Sequence, residues 1–328
     1  MLSDVHATGH PPANCADTYL PDLLDLLSQA LAVFARREVA AGVVAGDLLH
    51  HKAPSRTDHA LVGTLGEMFL AQPYPVWVVP GNHDMQHERL ASVGKTQPLG
   101  VLFRHRTAHC LDGWMGSEHP VFGVPWQQRW SAEGISEALR PWREHTPFEA
   151  TSEHYLVVTH APIYPPSSEP RYGGAELTPA DWWVSAAGGS PGVHSVFYGH
   201  IHEHHGAWTR RGVTFCNNGA LSRGSLGEDN LTRQVGVTLW DSGTGEFEFV
   251  PLDAKPAEQV FRLREHGKVV TAQRTLDAFL ADLGSAVLPR LTEASVMASF
   301  RERGAGQQEL ALAEELMAWA QHEGKAKR

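Results

Sequence analysis

Five short segments of the chain place Asp, Asn or His directly after an apolar run. They are Asp4-Val5-His6, Gly46-Asp47, Gly81-Asn82-His83-Asp84, His160 and Gly199-His200-Ile201-His202. Strands of an open α/β sheet deliver such side chains to one edge, at their carboxyl ends. Carboxylate, amide and imidazole groups are the mixed oxygen and nitrogen ligands that borderline divalent metals accept. One shared metal site would explain all five segments.

His83 stands between a candidate ligand and an acid in the third segment. Adjacent side chains of one backbone do not easily point at the same ion, so we interpret His83 as a non-ligand histidine that faces the substrate. Asp84 would then fix its tautomer or raise its pKa, which suits a general acid. The alternative is that Asp84 is a turn or cap residue, and both roles can coexist.

The elements that must position these side chains alternate between strand and helix. Apolar residues at helical spacing predict a helix over residues 17–39, and a second helix ends near residue 70. Strands are predicted over residues 42–45 and 75–80. Successive β-α-β crossovers require parallel strands with helices on the sheet faces and the ligand-bearing loops on one edge. The sequence therefore predicts an α/β fold.

Further elements are predicted along the rest of the chain. The strands are 100–103, 121–124, 193–198, 213–216, 234–240, 246–250 and 259–263, and the helices are 131–140, 271–283, 292–303 and 307–322. A change of composition divides the chain into a catalytic domain over residues 1–260 and a mostly helical cap or docking region over residues 261–328. The tryptophans between the third and fourth segments are predicted to pack in the core rather than to stack on bases. They are Trp114, Trp126, Trp130 and Trp142.

Composition excludes several classes of protein. The chain has 328 residues, of which 42% are hydrophobic, without a run long enough for a membrane helix. The formal charge of -10 argues against a broadly basic nucleic-acid-binding surface, and three scattered cysteines argue against a disulfide framework. The first residues lack the basic and apolar regions of a signal peptide, so we expect a cytoplasmic location. Only three residues precede Asp4, so either its strand is very short or the natural start lies upstream.

The five segments, in order, resemble the motifs of the calcineurin-like metallophosphoesterases: D-x-H, G-D, G-N-H-D, a lone H and G-H-x-H. The resemblance implies a four-layer α/β (α+β) fold, in which a β sandwich is flanked by helices and holds two divalent metal ions at one edge. It also implies that Asp4, His6 and His202 bind one ion. The other ion is bound by Asn82, His160 and His200, and Asp47 bridges the two.

A narrower resemblance begins at Gly46-Asp47-Leu48-Leu49-His50, which Pro54-Ser55-Arg56 follows. It is similar to the SbcD-type exonucleases of double-strand-break repair, whose motif reads G-D-L-F-H and then P-S-R. That likeness implies that His50 acts on the scissile phosphodiester, that the ions are manganese and that an SbcC-like ATPase is a partner. The compact length also resembles metallophosphoesterases of phage genomes. Leu49 in place of phenylalanine and an unmatched helical tail depart from the nuclease pattern.

The function predicted from these residues is metal-dependent hydrolysis of phosphodiesters, with DNA as the substrate of an exonuclease or endonuclease. A hydroxide activated by two metals would attack in line. The alternatives are a phosphatase or small-molecule phosphodiesterase, for example on cyclic nucleotides, and a non-catalytic scaffold. His50 could instead cap the next helix or pack under its loop. Iron and zinc fit the ligand types as well as manganese, and the sequence leaves open whether the chain forms a homodimer.

Overall fold

A computed structural model describes residues 1–86, 90–116, 119–144, 154–166, 177–187, 193–263 and 293–314. The chain divides into two compact units, Met1–Arg262 and Leu263–Arg328. All five segments singled out above lie in the first unit. All predicted metal ligands therefore belong to this unit.

The described residues of the first unit form three sheets, with strand orders β1-β2-β3, β4-β5-β6-β7-β9-β8 and β10-β11. The strands are β1 Gly42–Val44, β2 Val76–Val78, β3 His109–Cys110, β4 Gly113–Trp114, β5 Val121–Val124, β6 Leu156–His160, β7 Ser195–Gly199, β8 Gly206–Arg210, β9 Val213–Asn217, β10 Gly236–Trp240 and β11 Phe247–Pro251. Strands β1 to β3 run parallel, as do β5, β6, β7 and β9. Their carboxyl ends therefore share an edge, as the crossovers predicted.

Both faces of the central strands β5, β6 and β7 are buried, and the side chains along these strands alternate between two cores. Val158 and Phe197 pack with Val43 of β1 between the two larger sheets. Val157 and Tyr198 point to the opposite face, toward a core that includes α5 and α7. The predicted α/β fold with sheets flanked by helices is confirmed.

The helices of the described residues are short apart from α1 and α2, which precede and follow β1. They are α1 Tyr19–Arg36, α2 His59–Leu70, α3 Leu90–Thr96, α4 Leu99–Arg104, α5 Ala132–Ala138, α6 Arg140–Glu144, α7 Ala180–Ala187, α8 Glu228–Thr232, α9 Ala257–Val260 and α10 Glu293–Glu302. In α5 the Ser131 hydroxyl accepts a hydrogen bond from the Gly134 amide, which makes Ser131 a side-chain cap.

Two predicted strands are wrong. Residues 100–103 belong to helix α4, where Leu99 and Leu102 are buried three residues apart on one helical face. A short apolar run has no periodicity that separates a strand from a buried helix turn. Residues 259–263 begin inside α9, which starts after Pro256, and only Phe261 makes an isolated bridge, with Cys15.

The segment with Asp4 and His6 is also not a regular strand. It runs beside β1 through two parallel bridges, Leu2 with Val44 and Ala7 with Leu49. Positive φ angles at Asp4 and His6 interrupt the extended backbone between those bridges. The segment is also held on its other side, where the amides of Leu221 and Thr238 donate to the carbonyls of Ser3 and Met1.

In the second unit the structure describes Leu263 and residues 293–314. Helix α10 confirms the helix predicted over residues 292–303, and residues 307–314 are helical at the start of the prediction for 307–322. The helix predicted over residues 271–283 lies outside the described residues. Among the described helices none combines the length and apolar character needed to cross a membrane.

Candidate metal centre

The ends of four strands bring the predicted ligands together. His160 is the last residue of β6 and pairs with Gly199, the last residue of β7, so that His200 follows immediately beside it. Asp47 and Asn82 lie a few residues beyond β1 and β2, which are parallel neighbours. The site therefore follows from the shared direction of these strands.

Four predicted ligands have an uncommon backbone conformation. The φ angles are 52° at Asp4, 48° at His6, 51° at Asp47 and 84° at His200, in the left-handed region. Such a conformation costs a residue with a side chain about 1–2 kcal/mol. Strain of this kind clusters at functional sites because the surrounding structure must enforce it. The left-handed backbone conformation directs these side chains away from the directions that a regular strand would give them.

One cluster of ligand atoms contains Asp4, His6 and His202. The Nε2 atoms of His6 and His202 lie 3.1 Å apart, and Asp4 Oδ1 lies 3.8 Å and 3.5 Å from them. Asp4 is fully buried, and its carboxylate also accepts a hydrogen bond from the His200 amide at 3.0 Å. Two ligands each about 2.0–2.2 Å from one ion lie roughly 3.0–3.6 Å apart. The two separations that involve His202 fall in that range, and the separation between Asp4 and His6 is slightly longer.

A second cluster contains Asn82, His160 and His200. Asn82 Oδ1 lies 3.1 Å from His160 Nε2 and 3.1 Å from His200 Nδ1. The carboxylate between the two clusters is that of Asp47, because its Oδ2 lies 3.3 Å from His160 Nε2 and 3.6 Å from His6 Nε2. Its Oδ1 accepts the His83 amide at 2.8 Å. Asp47 thus occupies the position of a bridging ligand.

The acceptor atoms around His160 are arranged as they would be around a cation. His160 Nδ1 lies 2.8 Å from the Ala45 carbonyl, which can only accept, so the Nδ1 proton points there. In neutral His160, Nε2 is then an acceptor that faces two more acceptors, Asn82 Oδ1 and Asp47 Oδ2. Three convergent acceptors require a positive charge among them. The donor set is that of a divalent metal site.

The ionisation of these groups agrees with that requirement. Burial opposes ionisation of Asp47, but His160 and His6 outweigh it and hold the pKa of Asp47 below its usual range. Burial also lowers the pKa of His160, yet the Asp47 carboxylate raises that pKa to about 9. Without a metal, His160 thus holds a proton where an ion would supply the charge.

Backbone amides of two loops hold the Asp84 carboxylate. It accepts the backbone amides of Gly81 at 3.0 Å, Leu49 at 3.2 Å and Leu48 at 3.4 Å. Burial, and then the Asp47 carboxylate, raise the pKa of Asp84 to about 7. Asp84 thus ties the loop of Asp47 to the loop of Asn82, as the turn-residue alternative describes, and its catalytic pairing with His83 stays a prediction.

His83 has a different partner. Its Nδ1 lies 2.6 Å from the His50 carbonyl oxygen, which must accept, so Nδ1 donates and Nε2 faces away from that bond. The ring packs edge-on against His6, with 4.8 Å between centroids. His83 therefore lies beside the first cluster without taking the place of a ligand assigned to it.

His50 completes a group of histidines at the site. Its ring stacks on that of His83 with 5.3 Å between centroids, and its Nδ1 lies 3.4 Å from His6 Nδ1. The predicted alternative that it caps the next helix is wrong, because Asp58 caps α2 through the Ala60 amide. His6, His50 and His83 offer a third group of nitrogen atoms close enough for an ion.

Two site residues were missed in the sequence. The Trp126 indole lies on the His200 ring, with 4.6 Å between centroids and 34° between planes. All four tryptophans pack in or against a core, as predicted, but Trp126 also covers a ligand. Asn217, at the end of β9, is fully buried beside the loop of His200. Its position after an apolar run was the signal that could have indicated it.

Four basic residues of the sequence are candidates for contact with a DNA backbone, and they separate into two groups. They are Lys52, Arg56, Arg223 and Arg233. Lys52 and Arg56 are exposed, and Lys52 donates to the Asn82 carbonyl at 3.4 Å. Arg223 is buried and donates to the Lys255 carbonyl, whereas Arg233 donates to the Ser222 carbonyl. The second group supports the fold, which leaves Lys52 and Arg56 as candidates.

Comparison with known proteins gives one family. The family model for calcineurin-like phosphoesterases matches residues 1–204, a range that contains every predicted ligand. A solved structure from Staphylococcus aureus, provisionally assigned as a 5′-nucleotidase, is similar with 16% identity and a TM-score of 0.45. That match covers 76% of this chain and 52% of the other, so this chain spans about half of that protein. No curated protein matches the chain.

Proposed function

The chain belongs to the calcineurin-like phosphoesterase family, and from this premise we propose that it is a phosphodiesterase that cleaves DNA. The family makes it a metal-dependent hydrolase of phosphoric esters. The narrower proposal depends chiefly on one observation, that His50 lies against both His6 and His83 beside the ligand atoms. The resemblance of this histidine and of Pro54–Arg56 to the SbcD-type motif supports the same substrate.

The ligand assignment follows from the two clusters. Asp4, His6 and His202 would hold one ion, and Asn82, His160 and His200 the other, with Asp47 Oδ2 shared. Two bound ions lower the pKa of water and neutralise the charge of phosphate oxygens. The remaining histidines are then free to contact the ester, and manganese is the proposed metal on the resemblance alone.

His50 would supply a hydrogen-bond donor. With Nε2 committed to the ligand cluster, neutral His6 has its proton on Nδ1, which points to His50 Nδ1 at 3.4 Å. Burial, together with the neighbouring His6 and His83, lowers the pKa of His50 to about 4, so the ring is neutral. Its own proton is then on Nε2. A donor there can bind a phosphate oxygen or the leaving oxygen of a diester.

His83 and the exposed basic residues would orient the substrate. The His83 Nδ1 proton is held by the His50 carbonyl, so Nε2 is the atom that can take or return a proton. Lys52 and Arg56 lie exposed on the same loop as His50, where they can contact phosphates of a polynucleotide without reading its sequence. An SbcC-like ATPase partner and a cytoplasmic location complete the proposal.

A substrate panel tests this function. Purified protein with Mn²⁺ is assayed on single-stranded DNA, double-stranded DNA, a cyclic nucleotide and a phosphomonoester, with a chelator control. We expect chelator-sensitive cleavage of DNA that exceeds turnover of the monoester. Hydrolysis of the monoester or the cyclic nucleotide without cleavage of DNA would instead assign the alternative, a phosphatase or small-molecule phosphodiesterase.

A further inference from the structure

The side chain of Asn217 closes the loop that carries His200. Its Nδ2 donates to the carbonyl of Tyr198 at 3.0 Å and to the carbonyl of Ile201 at 3.0 Å. Its Oδ1 accepts the amide of Gly219 at 2.7 Å. Asn217 is fully buried, so water cannot replace these bonds. One side chain thus holds both flanks of a ligand residue.

The position of Asn217 explains why a side chain is needed. Strands β7 and β9 pair from Ser195 with Thr214 to Phe197 with Cys216, and the ladder ends there. Beyond it, the chain turns at His200, whose φ of 84° is incompatible with a continued strand. Beyond the last residue of β9 that pairs with β7, the side-chain amide of Asn217 therefore supplies hydrogen bonds to this part of the chain. It donates to a carbonyl on each side of His200, and buried carbonyls of this kind need such donors.

The same segment also reaches the second ligand of this loop. Gly219, whose amide binds Asn217, is followed by Ala220, which donates its amide to the His202 carbonyl at 3.0 Å. Asn217 thus holds the backbone around His200 directly, and it holds the backbone at His202 through Gly219 and Ala220. These two residues belong to different ligand clusters.

We propose that Asn217 is a positioning residue that sets the affinity of both metal positions, because it holds His200 in its strained conformation and fixes the segment that binds the His202 backbone. The inference rests on the proposed function, because it presumes that the two clusters bind metal. A strained ligand keeps its geometry only where the surroundings enforce it. Groups that orient metal ligands typically contribute about 10- to 100-fold in metal affinity. We expect Asn217 to contribute in that range.

Asn218 provides a matched control. It is the next residue, is equally buried and also donates from Nδ2 to a carbonyl, that of Gly236 at 2.9 Å. Gly236 belongs to β10 and carries no ligand. An Asn→Asp change removes the same donor at either position while keeping the shape of the side chain. Only the change at Asn217 removes it from the ligand loop.

The experiment measures Mn²⁺ affinity by calorimetry on chelator-stripped protein, with stability measured separately by denaturant unfolding. We expect Asn217→Asp and Asn217→Ala to weaken binding about 10- to 100-fold, with DNA cleavage restored toward wild type at high Mn²⁺ because all ligands remain. Asn218→Asp should leave the affinity within about twofold, since it shares no hydrogen-bond partner with the loop. Its stability is expected to fall like that of the Asn217 variants.

Four other outcomes would contradict either the role of Asn217 or the proposed function. Folded Asn217 variants with wild-type affinity would overturn the inference while leaving the proposed function intact. An equal loss of affinity in Asn218→Asp would also overturn it, because the effect would then be one of general stability. If neither Asn217 variant folds in excess Mn²⁺, Asn217 supports the whole fold and the inference fails. Wild-type protein that binds no metal would contradict the proposed function itself.

Discussion

His6 and His50 face each other through their Nδ1 atoms, which lie 3.4 Å apart. Only one of these nitrogens can carry the proton between them. If His6 Nε2 serves as a ligand, the proton belongs to His6 and the His50 proton moves to Nε2. Ligation of a metal by His6 therefore fixes the tautomer of His50 and leaves a neutral N–H donor at His50 Nε2.

His50→Ala is expected to keep both metals and most of the affinity for DNA. Cleavage should fall by about 10² to 10⁴, because a positioned donor or acid acts chiefly in the transition state. Metal content, DNA affinity and cleavage are measured on the same preparation. His51→Ala is the control, since the His51 ring contacts His50 at 4.5 Å between centroids and is not a predicted ligand. Normal cleavage by metal-loaded His50→Ala would refute the role.

Asp84→Asn tests a structural role. Replacement of a carboxylate oxygen by an amide group turns an acceptor into a donor that faces backbone amides. The free energy of unfolding should fall by about 1–3 kcal/mol, because a buried amide loses its acceptor. Denaturant unfolding measures it, and DNA cleavage by the folded, metal-loaded variant should stay close to wild type. Unchanged stability with cleavage lowered about 10²-fold or more would support the predicted Asp84–His83 pair.

Gly46→Ala should damage the cluster around His160. Gly46 has a φ of 90°, and a Cβ atom there would lie 2.1 Å from His160 Nδ1, in the place of its bond to Ala45. Gly212→Ala is the control, because its φ of 85° imposes similar strain with no atom within 4 Å. We expect metal affinity to fall at least about 10-fold in the first variant only. Equal affinities in calorimetry would contradict the role of His160.

A chain that ends after Leu263 tests the division into units. Residues up to Arg262 are tied into the first unit, since Arg262 donates its amide to Asn14 and Ala16 donates to Val260. The shortened chain should bind metal and hydrolyse a small chromogenic phosphodiester at nearly the full-length rate. A folded, metal-loaded truncation that is inactive would show that the second unit supplies chemistry. A cut after Asp253, which removes the buried Phe261, should prevent folding.

Much of the site could be predicted because its residues follow short apolar runs that form parallel strands. The carboxyl ends of such strands lie at one edge of a sheet. The hydrogen-bond partners of Asp84 and Asn217 could not be predicted, because they are backbone groups brought close only by folding, such as the Leu49 amide and the Ile201 carbonyl. Helix α4 was missed for a different reason. Its six residues are too few for a helical period to appear.

Metal stoichiometry tests the central claim most directly. Chelator-stripped wild-type protein is titrated with Mn²⁺, and bound metal is counted per chain beside Asp47→Asn and His200→Ala. We expect the wild type to bind two ions. Asp47→Asn should lose the pair and DNA hydrolysis because the shared Oδ2 is weakened, and His200→Ala should lose hydrolysis because the Asn82 cluster loses a ligand. Unchanged metal content together with unchanged hydrolysis in both variants would contradict the two-metal site.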